Sequence, residues 1–214
     1  MTEQAKWRRR PELRPDAILD GALVEFRERG FVGARIEDIA KHAGLSKGTV
    51  YLYFSSKEDM LEALIRRSIV PIATSLKHIA DHINDENFHE PASAVLKKML
   101  GVIGKSLGKE NIGSIPLLII GEAGRFPEHA AFYRDEVIEV VMLALASVIT
   151  RGVQSKEFKE IEVKNAVRSL MSIVIMQTIW DGVFARKDDE VLDRQEMFNC
   201  HLDIFLNGVM TSQE

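Results

Sequence analysis

The sequence predicts an all-α fold. Apolar residues recur at helical spacing in almost every segment, no stretch shows the β-branched alternation bounded by tight turns that marks a sheet, and only six prolines interrupt 214 residues. Capping residues and glycines punctuate the apolar stripes at intervals that suit helices of ordinary length.

Taken in order, Pro15 suits the first turn of a helix whose Ile18, Leu19, Ala22, Leu23 and Phe26 form one stripe, with Gly30 as its C-terminal stop. Two short helical pieces follow, divided at Gly44. Ser55 with Glu58, and Ser56 with Asp59, offer overlapping capping boxes for a helix through Met60, Leu61, Leu64, Ile65 and Ile69, which Pro71 should kink or break. The polar segment Asn84 to Glu90 reads as a loop, and Pro91 opens a helix through Val95, Met99, Val102 and Ile103 that closes over Gly108 to Gly113. Further helices are expected over about Ser114 to Gly124, Glu128 to Thr150 with Gly152 at a fraying end, Glu162 to Ala185, and Leu192 to Val209. The stretch Leu170 to Ile179 is apolar nearly all round, which implies burial on two sides. One side suits the chain's own core and the other a second subunit, so the last two helices are expected to form a four-helix homodimer interface; a purely intramolecular core is the alternative.

Charge is local rather than global. The formal net charge is −4, but residues 1–60 carry 11 Lys+Arg against 10 Asp+Glu, and residues 61–214 carry 17 against 22. Lys6, Arg8, Arg9, Arg10 and Arg14 make residues 1–14 a basic arm that could follow a phosphate backbone or simply be a solvated tail. Cys200 is the single cysteine, which excludes an intramolecular disulfide framework and fits a reducing cytoplasm. Arg8-Arg9 is followed by charged and proline-containing sequence instead of an export signal's apolar segment. The apolar runs Val137 to Ile149 and Leu170 to Val183 are too short and too interrupted to cross a bilayer, so a cytoplasmic protein with no membrane partner is expected.

The segment Ile36 to Tyr51 carries the most chemistry. Ile36, Ile39, Ala40, Ala43, Leu45 and Val50 can pack two short helices at a steep angle, and Gly44 permits the tight turn between them. Ser46 caps the second helix, leaving Lys47, Gly48, Thr49, Tyr51 and Tyr53 outward. Lysine neutralises phosphate, glycine lets a backbone approach closely, and threonine or tyrosine can donate to phosphate oxygens or touch a thymine methyl. That is a helix-turn-helix with a recognition helix for double-stranded DNA; a plain helical hairpin would not need two aromatics and a lysine on its solvated face.

Other clusters are weaker. His78, His82 and His89, with Asp81 and Glu86, have metal-ligating types, but a solvated helix end accounts for them and no metal is assigned. Gly104-Lys105-Ser106 lacks the earlier glycine and the preceding strand of a phosphate loop, because Met99 stands where that glycine should be. No triad or acid/base pair points to an enzyme, and no cofactor is expected. Met99, Ile103, Phe126, Met142, Met176, Gln177 and Trp180 are candidates to line an effector pocket, with Glu122 and Arg125 as charged groups that could orient a ligand or simply pair with each other.

The chain closely resembles the tetracycline-repressor (TetR) family of bacterial regulators. The resemblance is carried by Gly30-Phe31, Ile36 to Gly44, and above all Ser46-Lys47-Gly48-Thr49-Val50-Tyr51-Leu52-Tyr53-Phe54 followed by Ser56-Lys57-Glu58-Asp59-Met60-Leu61, spanning about residues 15–62. Glu122 to Glu128, with Phe132-Tyr133, is similar to a C-terminal pattern found in part of that family. The resemblance implies a three-helix DNA-binding domain over 15–60 and a larger helical domain over 61–214 that binds an effector and dimerises. It further implies a palindromic operator, Lys57 as a clamp on the DNA backbone, and release by a small molecule acting through the Ser56-to-Pro71 helix. Two recognition helices would then enter successive major grooves about 34 to 36 Å apart. One departure stands out: Arg35 occupies the position where the family usually opens the first helix of the motif with threonine, which suggests that Arg35 reaches a phosphate instead of capping. The alternatives are a ligand-independent or activating regulator, and a helical interaction module without DNA binding.

Overall fold

The computed structural model describes residues 14–85, 88–108, 112–186, 188 and 193–211; the basic arm, except Arg14, lies outside them. Eleven α-helices occur among these residues, and the described chain divides into one compact unit ending at Leu64 and a second starting at Ile65.

The first unit holds α1 (Arg14–Gly33), α2 (Ile36–His42), α3 (Lys47–Tyr51) and the first turns of α4 (Lys57–Ser68). α1 is interrupted at Gly30, whose φ of 68° and ψ of 168° suit only glycine, so the expected stop is present and a last turn follows it. The stripe Ile18, Leu19, Ala22 and Phe26 is buried, with Phe31, Ile39, Val50, Met60 and Leu64 completing the core. α1 and α2 cross closely: a Cβ on Gly21 would lie 2.8 Å from Ile39 O and 3.1 Å from Ala43 N. Gly44 takes a φ of 66° in the turn between α2 and α3, which a side chain would strain.

The second unit is a helical bundle. α5 (Val70–Asp81) starts anew around Pro71, as the proline's missing N–H and fixed φ require. α6 (Ala92–Leu107), α7 (Ser114–Glu122), α8 (Pro127–Tyr133), α9 (Glu139–Gln154), α10 (Val163–Ile179) and α11 (Arg194–Val209) follow. α5 packs on α9, α6 on α9 and α11, and α10 on α9 and α11. Leu76, Leu96, Met99, Leu145, Ile149, Leu170, Phe198 and Leu202 form the core where they meet.

Three features differ from the sequence reading. The helix expected over Glu128 to Thr150 is two helices joined by a π-helical turn over Arg134–Ile138, and a second such turn over Trp180–Phe184 ends the α10 segment. Gly152 is not a fraying end, since α9 continues to Gln154 and the Phe158 ring fills the space that a Cβ there would occupy. The last turn of the bundle is tied down: Lys159 N–H donates to Val209 O at 2.7 Å, Thr211 N–H to Glu157 O at 3.1 Å, and Phe158 bridges Met210. Glu157 in turn accepts the Ala92 and Ser93 N–H groups at 2.6 and 2.9 Å, capping α6 from 65 residues away. No helix is long and apolar enough to cross a membrane.

Candidate functional site

In the first unit, α3 is a five-residue helix that its caps hold in place. Ser46 is its N-cap in extended conformation, and its Oγ accepts the Thr49 N–H at 3.1 Å. Val50 faces inward and is fully buried, which leaves Lys47, Gly48 and Tyr51 exposed and Thr49 and Tyr53 half-buried. A Cβ built on Gly48 would meet only Ser46 Oγ, at 3.9 Å. Nothing inside the unit demands glycine there, so the missing side chain clears space outside it. Leu52, at the end of α3, is 79% exposed, an apolar tip on an otherwise polar surface.

The charges around α3 are arranged, not merely present. The Lys47 ammonium donates to Glu37 Oε1 at 2.5 Å and lies 5.8 Å from the centre of the Tyr51 ring. The bond from Lys47 holds the Glu37 carboxyl below its ordinary value, and the same bond raises Lys47. Arg35, at the N-cap of α2, is exposed and makes no side-chain bond to the helix. Its backbone N–H instead donates to Glu25 Oε1 at 3.4 Å. Glu25 is buried, with Arg29 Nε 3.3 Å from one carboxylate oxygen and His42 Nε2 3.5 Å from the other. A buried carboxylate needs such partners, and here they join the end of α1 to α2.

Lys57 turns back into the protein. Its ammonium donates to Phe31 O at 2.7 Å, Val32 O at 3.2 Å and Ala34 O at 3.0 Å, and sits 5.1 Å from the centre of the Phe31 ring. A lysine ammonium has three donors, and all three have protein partners. Glu37, Leu52 and this use of Lys57 were missed in the sequence reading. Glu37 and Leu52 sit within the motif, and their weight is visible only once helix phase is fixed.

The second unit holds a cavity of about 430 Å³. Ile119 and Ile120 of α7, Val141 and Met142 of α9, and Met171 and Ile175 of α10 line it. Tyr133 and Thr178 supply its hydroxyls, and none of the described lining residues is charged. Of the residues the sequence suggested for an effector pocket, Met142 lines this cavity. Met99 and Ile103 are buried core. Glu122 is half-buried at the end of α7, Arg125 is exposed, and Phe126 is half-buried against His129 with ring centres 5.7 Å apart. Gln177 is buried and donates to Asp181 at 2.5 Å, and Asp181 accepts from Arg194, so this chain of bonds ties α10 to the start of α11. Met176 and Trp180 are on the outer surface with Val183, Phe184 and Ile204. The signal for the true lining was the excess of apolar residues in α7, which is more hydrophobic than one buried face needs.

The candidate histidine cluster is also resolved into local contacts. His82 Nδ1 lies 2.7 Å from His78 O on its own helix, and Asp81 pairs with Lys77 at 2.7 Å. Among the described residues, the metal-capable side chains that do gather are Glu25, Glu28 and His42, where Glu25 already has the partners given above.

Residues 18–64 match the model of the bacterial regulatory proteins of the tetR family. The chain is 27% identical over 197 residues to the fatty acid metabolism regulator protein of Bacillus subtilis, covering 90% of this chain and 93% of that one. It is 25% identical over 206 residues to the transcriptional repressor KstR2 of Mycolicibacterium smegmatis, covering 95% and 94%. Among solved structures it is similar to the regulator FadR of Bacillus subtilis in complex with stearoyl-CoA, with a TM-score of 0.71 and 23% identity over 90% of this chain and 98% of that one. These relatives are regulators, not enzymes.

Proposed function

Because the chain belongs to the tetR family of bacterial regulatory proteins, we propose that it is a dimeric cytoplasmic repressor that binds a palindromic operator and is released by an apolar small molecule. The observation that carries the DNA-binding reading is the exposed face of α3, where Ser46, Lys47, Gly48, Tyr51 and Leu52 surround a glycine whose missing side chain the interior does not require. Lys47 and Arg35 are the cations for phosphates, and Thr49, Tyr51 and Tyr53 are suited to the groove edge. Lys57 holds the carbonyls that precede α2 and thereby sets where Arg35 and α3 stand.

The cavity supports the effector half of the reading. At about 430 Å³ it falls within the range of small-molecule sites, and its apolar wall suits a ligand of the kind named for the relatives, a long acyl chain or a steroid skeleton. Trp180, Phe184 and Ile204, which are 44%, 55% and 67% exposed, form the apolar surface by which the last two helices would meet a second copy. Release requires the ligand to prefer the conformation that fits the operator poorly.

The test is a fluorescence-anisotropy titration with the DNA upstream of the protein's own gene, with and without stearoyl-CoA. Salt-dependent binding to a pseudo-palindrome that the acyl-CoA weakens while the dimer stays intact is the expected result. Absence of operator binding would leave a helical interaction module, and tightening by the ligand would make the protein a co-repressed or activating regulator.

A further inference from the structure

The wall of the cavity is apolar except at one point that has work left to do. Thr178 Oγ1 already donates to Val174 O at 2.7 Å, so its proton is used within its own helix. Tyr133, at the end of α8, has no hydrogen-bond partner among the described residues, although it lines the same cavity. Burial pushes the Tyr133 phenol above its ordinary value, so at neutral pH the group is an O–H donor. A buried hydroxyl left unpaired costs free energy that an acceptor in the cavity would recover. The lining also offers no cation, and an ionised group placed among Ile119, Val141 and Ile175 would be far more costly than an unpaired hydroxyl.

We propose that the cavity takes an uncharged lipid-like ligand bearing one oxygen acceptor, an ester, thioester or ketone carbonyl set within or at the end of an apolar body, and that Tyr133 donates to that oxygen. Any charged portion of the molecule stays outside the cavity. This rests on the effector reading above and adds to it which atom is recognised and which chemistry is refused. Tyr133 is thus a specificity-determining residue: it separates an oxygenated chain from a hydrocarbon of the same length, and the apolar wall separates a neutral carbonyl from a carboxylate.

The experiment uses the full chain and three probes of similar length: methyl octanoate, n-decane and octanoate. The first two are measured by headspace gas chromatography and the third by equilibrium dialysis at pH 8. Wild-type protein should bind methyl octanoate more tightly than either n-decane or octanoate. Tyr133→Phe should weaken methyl octanoate by about fivefold to tenfold and leave n-decane unchanged, with a thermal midpoint matching wild type as the check on folding. Equal binding of the ester by wild type and Tyr133→Phe overturns the role of Tyr133. Octanoate binding as tightly as the ester overturns the neutral-ligand assignment. If no probe binds while the operator is still bound, the cavity is not the effector site, and the broader reading falls together with this one.

Discussion

At the scale of single residues, the DNA-facing surface is set by where three cations point. Lys47 is bonded to Glu37, so phosphate must compete with a carboxylate for it. Glu37→Gln should therefore raise operator affinity by about twofold to fivefold at low salt, read by anisotropy; unchanged or weaker binding would mean that Lys47 does not face phosphate. The lowered Glu37 carboxyl contributes above its unfolded value and loses that contribution as pH falls through the folded one, while raised Lys47 contributes below its unfolded value and loses it at alkaline pH. The pair is intact on both counts near neutrality, so operator affinity between pH 6 and 8 should not titrate through it. Arg35→Ala should reduce the slope of log K against log salt by about 0.9, one phosphate contact. Lys57→Met should lower stability by about 2 kcal/mol and weaken operator binding without changing that slope, because its ammonium sits on carbonyls. The outward set on α3 was legible in the sequence, since the cap at Ser46 and the apolar phase of Ile39 and Val50 fix which side faces out. The direction of Lys57 was not, because a lysine in a first helical turn has the same pattern whether it reaches solvent or folds back over Phe31.

Elements are fixed by caps and by the positions where a side chain has no room. Ser46→Ala removes the acceptor for Thr49 N–H and should cost about 1 kcal/mol, seen as a lower urea midpoint. Gly152→Ala should destabilise the second unit by about 1 to 3 kcal/mol, since the new methyl would displace buried Phe158 from its place against α9; a neutral result would mean that Phe158 relaxes freely. Most helix limits were readable because Gly30, Pro71 and Pro91 act through their own backbone chemistry. The capping at Ser56 is present as an Asp59 N–H bond at 3.1 Å, yet Asp59 returns to Ser55 N–H at 3.0 Å and not to Ser56. What periodicity could not show is a π-helical turn, because a single extra residue shifts the phase of a stripe without breaking its composition. Gly152 misled for a related reason, as a glycine that makes room and a glycine that ends a helix look alike until the neighbour is known.

For the whole molecule, the surface of the last two helices decides the assembly. Ile204→Glu should shift the protein toward monomer in sedimentation velocity and abolish tight binding to a full palindrome while half-site contact persists; a stable dimer in that variant would place the interface elsewhere. The cavity was less legible than the bundle around it. Met99 and Ile103 have the composition of a ligand wall and are core, whereas Tyr133, Val141 and Ile175 become a wall only through the phase at which α8, α9 and α10 meet. That phase depends on the wide turn over Arg134–Ile138. Such a turn is what a helix becomes when it takes in one surplus residue without losing its flanks. Deleting one residue there would turn everything that follows by about 100°, carrying Val141 and Met142 off the wall and bringing others onto it. Loss of a single codon, far from the helix-turn-helix, is thus a short evolutionary path to a regulator that keeps its operator and changes what it senses.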